Sequence, residues 1–91
     1  MRKLTDQELD EISQIAVEAA ENFILSRVPK KEILDLQINV ELTSQEGLDV
    51  DMYVDLDLDE LSAADENEIS QKAVDMALEK IDEYIDENIS D

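Results

Sequence analysis

Six carboxylates fall within residues 49–60: Asp49, Asp51, Asp55, Asp57, Asp59 and Glu60, with Tyr53 among them. Carboxylate oxygens are the ligands that hard cations such as Mg²⁺ and Ca²⁺ prefer, so metal binding is the first chemistry to weigh. The spacing argues for caution. From residue 48 to 58 every second residue is apolar, and the acidic side chains occupy the odd positions. On a β-strand all odd positions share one face. Asp35 and Glu41, from an earlier alternating run, join the same face if the two runs pair. A strand sets such groups in a row about 7 Å apart, whereas a metal site needs ligands that converge. Alternation by itself produces an acidic, solvated sheet face. Asp55-x-Asp57-x-Asp59, with Glu66 further on, matches the acidic positions of an EF-hand loop. However, Glu60 stands where glycine is required, and Ser62 where an apolar residue is usual.

Other chemistries are poorly supplied. The chain has no histidine and no cysteine, which removes the commonest acid–base group and the thiol nucleophile. Gly47 is the single glycine, so there is no glycine-rich phosphate loop. Ser13 and Ser70 lie in helical segments with no base that the sequence identifies. Solvated carboxylates on an open face are poor candidates for acid–base catalysis, which needs environments that separate their roles. No enzyme activity and no cofactor are expected.

Charge narrows the partners. Twenty-six acidic residues stand against seven Lys and Arg, for a net charge of −19. Such a chain repels nucleic acid and anionic membranes and is suited to a cationic partner. Arg27, Lys30 and Lys31 form a basic cluster after the first helix, where cations complement the helix dipole. No run of 18 apolar residues exists to span a membrane. The opening Met1-Arg-Lys turns acidic at once and does not read as a signal peptide. A cytoplasmic protein follows as the expectation.

The elements that must position the acidic face are legible. Thr5 and Glu8 are spaced as a capping box, with Leu4 and Leu9 flanking them as a hydrophobic staple. An apolar stripe of Leu9, Ile12, Ile15/Ala16, Ala19/Ala20 and Phe23, with Ile24 beside it, continues to Pro29, which pushes Val28 out of helical dihedrals. A helix over residues 5–27 is predicted. Leu34, Leu36, Ile38, Val40 and Leu42 then alternate with polar residues. After Thr43-Ser-Gln-Glu-Gly47 the alternation resumes through Leu48, Val50, Met52, Val54, Leu56 and Leu58. Two such runs joined by a short loop ending in glycine predict a β-hairpin, with Gly47 in a conformation of positive φ. A second helix is predicted from Asp65 or Asn67, with Asp65 as cap, Glu68 completing a capping box, and a stripe of Ile69, Ala73, Met76/Ala77, Ile81 and Tyr84/Ile85. Its C-terminus carries Asp82, Glu83, Asp86, Glu87 and Asp91, which the helix dipole disfavours, so fraying of the last turn is expected.

The two helices share a surface. Glu11 to Ile24 aligns with Glu68 to Ile81 at a constant offset, with eight identical positions that include Ile12/Ile69, Ala16/Ala73, Ala20/Ala77 and Ile24/Ile81. The spacing of four describes one helix face. Shifting the hairpin by the same offset carries it past either chain end, so one packing surface is used twice, not a whole unit duplicated. Ile15 becomes Lys72 and Phe23 becomes Lys80, which predicts that the second helix is the more exposed, with any groove for a partner beside it.

These elements predict one domain over residues 1–91. Its fold class is a two-layer α+β structure in α-β-β-α order, two antiparallel helices packed on one face of an antiparallel sheet. Two helices side by side are about 20 Å wide, whereas two strands cover about 10 Å. A third strand, from before Leu34 or after Val54, should fill the difference. Failing that, a homodimer with a four-stranded sheet is expected.

Length, acidity, the Thr5-Asp-Gln-Glu8 opening, the Leu34-to-Leu58 hairpin and the acidic helical C-terminus together resemble a small archaeal family of uncharacterised acidic α+β proteins. The resemblance covers the whole chain. It implies an α+β fold and an archaeal cytoplasm whose potassium screens the charge, and it carries over no catalytic or binding residue. The leading functional expectation is a non-enzymatic interaction module that presents Asp35, Glu41, Asp49, Asp51, Tyr53, Asp55 and Asp57 to a basic protein. The alternatives are a divalent-cation (Mg²⁺/Ca²⁺) protein using the carboxylates of residues 49–60, and an acidic competitor of a nucleic-acid-binding surface.

Overall fold

The computed structural model describes residues 4–44 and 47–88. Helix α1 spans Asp6–Arg27, a single 3₁₀ turn covers Lys30–Glu32, strands β1 and β2 span Ile33–Thr43 and Asp49–Leu58, and helix α2 spans Glu66–Asn88. The α-β-β-α order is the expected one. β1 and β2 pair antiparallel as a two-stranded sheet, and no third strand occurs among the described residues.

Local chemistry sets the limits of α1. The Thr5 hydroxyl accepts from the Glu8 N–H at 3.1 Å, and the Glu8 carboxylate accepts from the Thr5 N–H at 2.9 Å. Both arms of the capping box are therefore closed, which satisfies two donors that a helix start otherwise leaves free. Leu4 is buried, and Leu9 packs against the same core. At the other end Val28 is extended (φ −132°), as the residue before a proline should be, and its N–H returns to the Ile24 carbonyl at 2.9 Å. α2 starts on Asp65, whose carboxylate accepts from the N–H groups of Asn67 and Glu68 at 3.0 and 3.2 Å. The box expected here is only half built: the Glu68 carboxylate pairs with Lys72 at 2.8 Å, one helical turn on. α2 remains helical through Asn88, whose amide donates to the Tyr84 carbonyl at 3.0 Å. The expected fraying does not reach that residue; residues 89–91, Asp91 included, lie outside the described residues.

The repeat is the helical core. On α1 the buried residues are Ile12, Ala16, Ala20 and Ile24; on α2 they are Ile69, Ala73, Ala77 and Ile81. Every one is an identical position of the repeat. The helices run antiparallel. Tyr84 near the end of α2 donates its hydroxyl hydrogen to the Glu11 carboxylate near the start of α1, while Phe23 and Arg27 share a surface hollow with Asp65 and Ile69. The four alanines thus meet at mid-height, where small side chains allow the backbones to approach. The sheet supplies the opposite wall through Leu36, Ile38, Val40, Leu42, Val50, Met52, Val54, Leu56 and Leu58.

The register places even residues opposite even ones: Leu42 pairs with Val50, Val40 with Met52 and Ile38 with Val54. Gly47 closes the loop with φ at +114°, a conformation that glycine adopts without a steric penalty. Gln45 and Glu46 of the same loop lie outside the described residues. One expectation fails. Leu34, assigned to the inward face by alternation, is 62% exposed. Ile33 pairs with Leu58 but Asp35 with Asp57, so one extra residue interrupts β1 and turns its start by one position. Ile33 takes the inward place instead and packs on the core. Leu34→Ser should therefore change stability by less than about 0.5 kcal/mol, whereas Leu36→Ser, which puts a hydroxyl into the core, should cost several times as much. Urea denaturation of the two variants tests the bulge; equal losses would place Leu34 in the core.

Candidate acidic interface

The seven residues singled out in the sequence share the outer face of the hairpin, away from the helices, and all are exposed. The register decides who faces whom. Asp35 stands opposite Asp57 and Glu41 opposite Asp51; Gln37 faces Asp55, Asn39 faces Tyr53, and Thr43 faces Asp49. Like charges directly across an antiparallel pair are unfavourable, by up to about 1 kcal/mol each. No cation neutralises these carboxylates among the described residues: the ion pairs there are Lys72–Glu68 and Lys80–Glu83, both on the surface of α2. Arg27 lies over the Phe23 ring at 5.1 Å, on the helical layer. Among the described residues, the sheet face therefore carries its charge without an ion-pair partner.

Tyr53 is 58% exposed and not packed down. Together with Asn39, Glu41 and Asp51 it borders a shallow depression on the acidic face. A large aromatic ring ringed by carboxylates is a suitable anchor for a cationic side chain.

The carboxylates beyond the strand do other work. Asp59 turns the chain, accepting the Leu61 N–H on its side chain at 2.9 Å and the Ser62 N–H on its carbonyl at 2.8 Å. Glu66 folds back on the strand end, where its carboxylate accepts the Leu58 N–H at 3.1 Å. Asp59 and Glu66 are thus spent on backbone donors, unlike the ligands of an EF-hand loop. No group of three or more acidic side chains is arranged to hold a metal ion among the described residues. The strand geometry is the cause, since it spreads its carboxylates in rows.

A groove that the sequence located only as "beside the second helix" runs between β2 and the first half of α2. Met52, Val54 and Leu56 form one wall, and Ser70, Gln71 and Val74 the other; its volume is about 470 Å³. It exists because two helices overhang two strands. None of its helical residues was singled out as a site residue. The signal was present, since Ser70, Gln71 and Val74 are three of the four repeat identities outside the buried set, Glu68 being the other. No described helix is long and apolar enough to cross a membrane.

This arrangement is shared beyond one chain. A family described as "Protein of unknown function (DUF3194)" matches residues 1–84. The chain belongs to that family. Among DUF3194 relatives, an uncharacterized protein of Methanothermobacter thermautotrophicus is 43% identical over 86 residues, covering 94% of this chain and 93% of the relative. An uncharacterized protein of Natronomonas pharaonis is 36% identical over 78 residues, covering 85% of this chain and 87% of the relative. The solution structure of hypothetical protein mth677 from Methanothermobacter thermautotrophicus superposes with a TM-score of 0.83 at 41% identity, covering 99% of this chain and 98% of that one. The archaeal resemblance read from the sequence is therefore correct, and so is the α+β class.

With its sheet face unpaired among the described residues, this DUF3194 protein should be stabilised by salt. The Debye length falls from about 10 Å at 0.1 M salt to about 3 Å at 1 M, which shortens the reach of the repulsion below the spacing of the carboxylates. The melting temperature should rise over that interval in KCl, by about 4–8 °C for each kcal/mol relieved. A flat or falling dependence, followed by circular dichroism, would show that the carboxylates are already compensated.

Proposed function

We propose that this protein is a non-enzymatic interaction module whose acidic sheet face docks a basic partner protein. The observation that carries this reading is the pairing of Asp35 with Asp57 and of Glu41 with Asp51, directly opposite one another and without an ion-pair partner among the described residues. A solvating surface needs charge, but it does not need like charges in register, which reduce the stability of the fold that carries them. A cationic partner converts both pairs from a cost into an attraction and steers the encounter as well. Tyr53 supports the reading as an exposed aromatic of the kind that anchors interfaces. The lack of cysteine fits a cytoplasmic setting.

The test is capture of partners from a native lysate by the wild-type chain and by Asp51→Lys/Asp57→Lys, at low and high salt. Retention of a basic protein that both high salt and the double reversal release supports the reading. If nothing basic is retained at any salt, the reading fails. Should the captured proteins be nucleic-acid-binding and be displaced by DNA, the module acts as an acidic competitor on their nucleic-acid surface. Titration with Mg²⁺ or Ca²⁺ in physiological potassium addresses the cation alternative. Saturable shifts confined to residues 49–60 would favour a metal site, and diffuse weak ones would reject it.

A further inference from the structure

The outer edge of β2 combines three features that meet nowhere else among the described residues. The first is a row of free backbone groups. Asp59 donates its N–H to the Glu32 carbonyl at 2.8 Å, on the β1 side. Leu58 donates in the opposite direction, to Glu66 at 3.1 Å. Backbone groups alternate sides along a strand, so the N–H and C=O groups of Leu56, Val54 and Met52 point away from β1. No strand among the described residues receives them. The second feature is the groove beside this edge, between β2 and α2, where Met52, Val54, Leu56 and Val74 line it together with the carboxylates of Glu66 and Asp75. The third is the row of Asp49, Asp51, Asp55 and Asp57 on the other side of the same strand.

Proteins normally blunt exposed edges with bulges, prolines, lysines or a covering element. The β1 edge carries such a device in the bulge at Ile33 and Leu34, and Gln37 and Asn39 occupy the middle of its outer face. β2 runs regularly over ten residues, and its guards are aspartates. These repel a second copy, because any antiparallel register of two β2 strands lays one aspartate row beside the other. They do not repel a basic strand. Glu66 already meets the last outward N–H of the edge with an oxygen, as a partner carbonyl would meet the others.

We infer that the β2 edge accepts an added β-strand from a basic protein, a segment in which apolar residues alternate with Lys or Arg. Its apolar side chains enter the groove beneath α2, its cationic ones lie beside the aspartate row, and its backbone pairs with Met52, Val54 and Leu56. This inference rests on the acidic-face reading and specifies the shape of the partner.

The probe is the peptide Lys-Val-Lys-Val-Lys-Val, compared with Lys-Lys-Lys-Val-Val-Val of identical charge. Two further versions carry N-methyl groups on the valine amides or on the lysine amides. Residues that hydrogen-bond to the edge lie opposite Met52, Val54 and Leu56 and share their face, so they are the valines. The alternating peptide should slow hydrogen exchange at the amides of Met52, Val54 and Leu56. Methylation of the valine amides should weaken binding by about tenfold or more, and methylation of the lysine amides should leave it nearly unchanged. Ser70→Trp, which fills the groove from its half-buried α2 wall, should abolish the preference for the alternating order. Equal binding of both orders without amide protection would overturn the edge inference and leave the acidic-face reading standing. Failure of every peptide to bind at low salt would overturn both. Protection of the same amides in the protein alone, rising with its concentration alongside the sedimentation mass, would identify a second copy as the occupant and overturn the basic strand.

Discussion

Ile24→Ala will destabilise the protein by about 2–5 kcal/mol, and Ile81→Ala will do so by nearly the same amount. Both side chains are essentially inaccessible to solvent, and they occupy equivalent positions of the repeated helix face. Truncation removes buried methylenes and leaves a cavity in a helical layer whose other buried residues include the small Ala16, Ala20, Ala73 and Ala77, which cannot fill it. For a chain of 91 residues, a total stability of about 5–14 kcal/mol is expected. Either change therefore removes a large share of it. Urea denaturation measures both, and the comparison is the sharper test. A loss at Ile81 less than half that at Ile24 would mean that the two faces are not packed alike, and that the Lys72 and Lys80 replacements loosen α2 more than its burial implies.

Asp51→Lys with Asp57→Lys will have the opposite effect on stability and the largest effect on binding. Each replacement turns a like pair, Glu41/Asp51 or Asp35/Asp57, into an opposite one. A gain of about 0.2–1 kcal/mol per site is expected, visible as a higher melting temperature that no longer rises steeply with salt. Partner capture should be lost at the same time, since two of the charges that attract a basic surface now repel it. Glu79→Lys, on the exposed surface of α2, alters net charge equally per site and serves as the control; it should leave capture largely intact. A double variant that gains stability and still captures as well as the control would remove the sheet face from the interface. One that gains no stability would mean that the paired carboxylates splay apart in solution.

Most of the fold was legible because its signals are local. Thr5 and Glu8 announce the start of α1 and Pro29 its end, and nothing tertiary overrides them. Period-two alternation gave the parity of the hairpin, even residues opposite even ones, and with it the common face of Asp35, Glu41, Asp49, Asp51, Tyr53, Asp55 and Asp57; the register itself, Leu42 opposite Val50, came from the structure. Leu34 was misplaced because Ile33 and Leu34 are adjacent apolar residues at a strand start. Either can face inward, and alternation alone carries the parity of the later residues back without a break. The bulge that reverses it depends on where Leu58 and Asp57 lie across the sheet. Glu66 was unreadable for a related reason. Its bond to the Leu58 N–H spans eight residues through a turn shaped by Asp59, and the EF-hand spacing drew attention to the wrong partner atoms. The third strand expected from the mismatch of widths does not occur among the described residues. What the sequence lacked was the outcome, an overhang that leaves a groove.

The antiparallel contact between α1 and α2 also bears on how the chain reaches this fold. The hairpin forms from residues close in sequence, but Glu11 and Tyr84 meet across 73 positions. Contacts of such separation are costly to close and form late. The two halves of the repeated face are therefore expected to find each other near the end of folding, after the hairpin has brought the helices alongside, and low φ-values for Ile24→Ala and Ile81→Ala would show it. Interactions made that late act chiefly on the unfolding rate. The repeat, in this light, should act as a clasp, with its truncation changing the folding rate little and raising the unfolding rate.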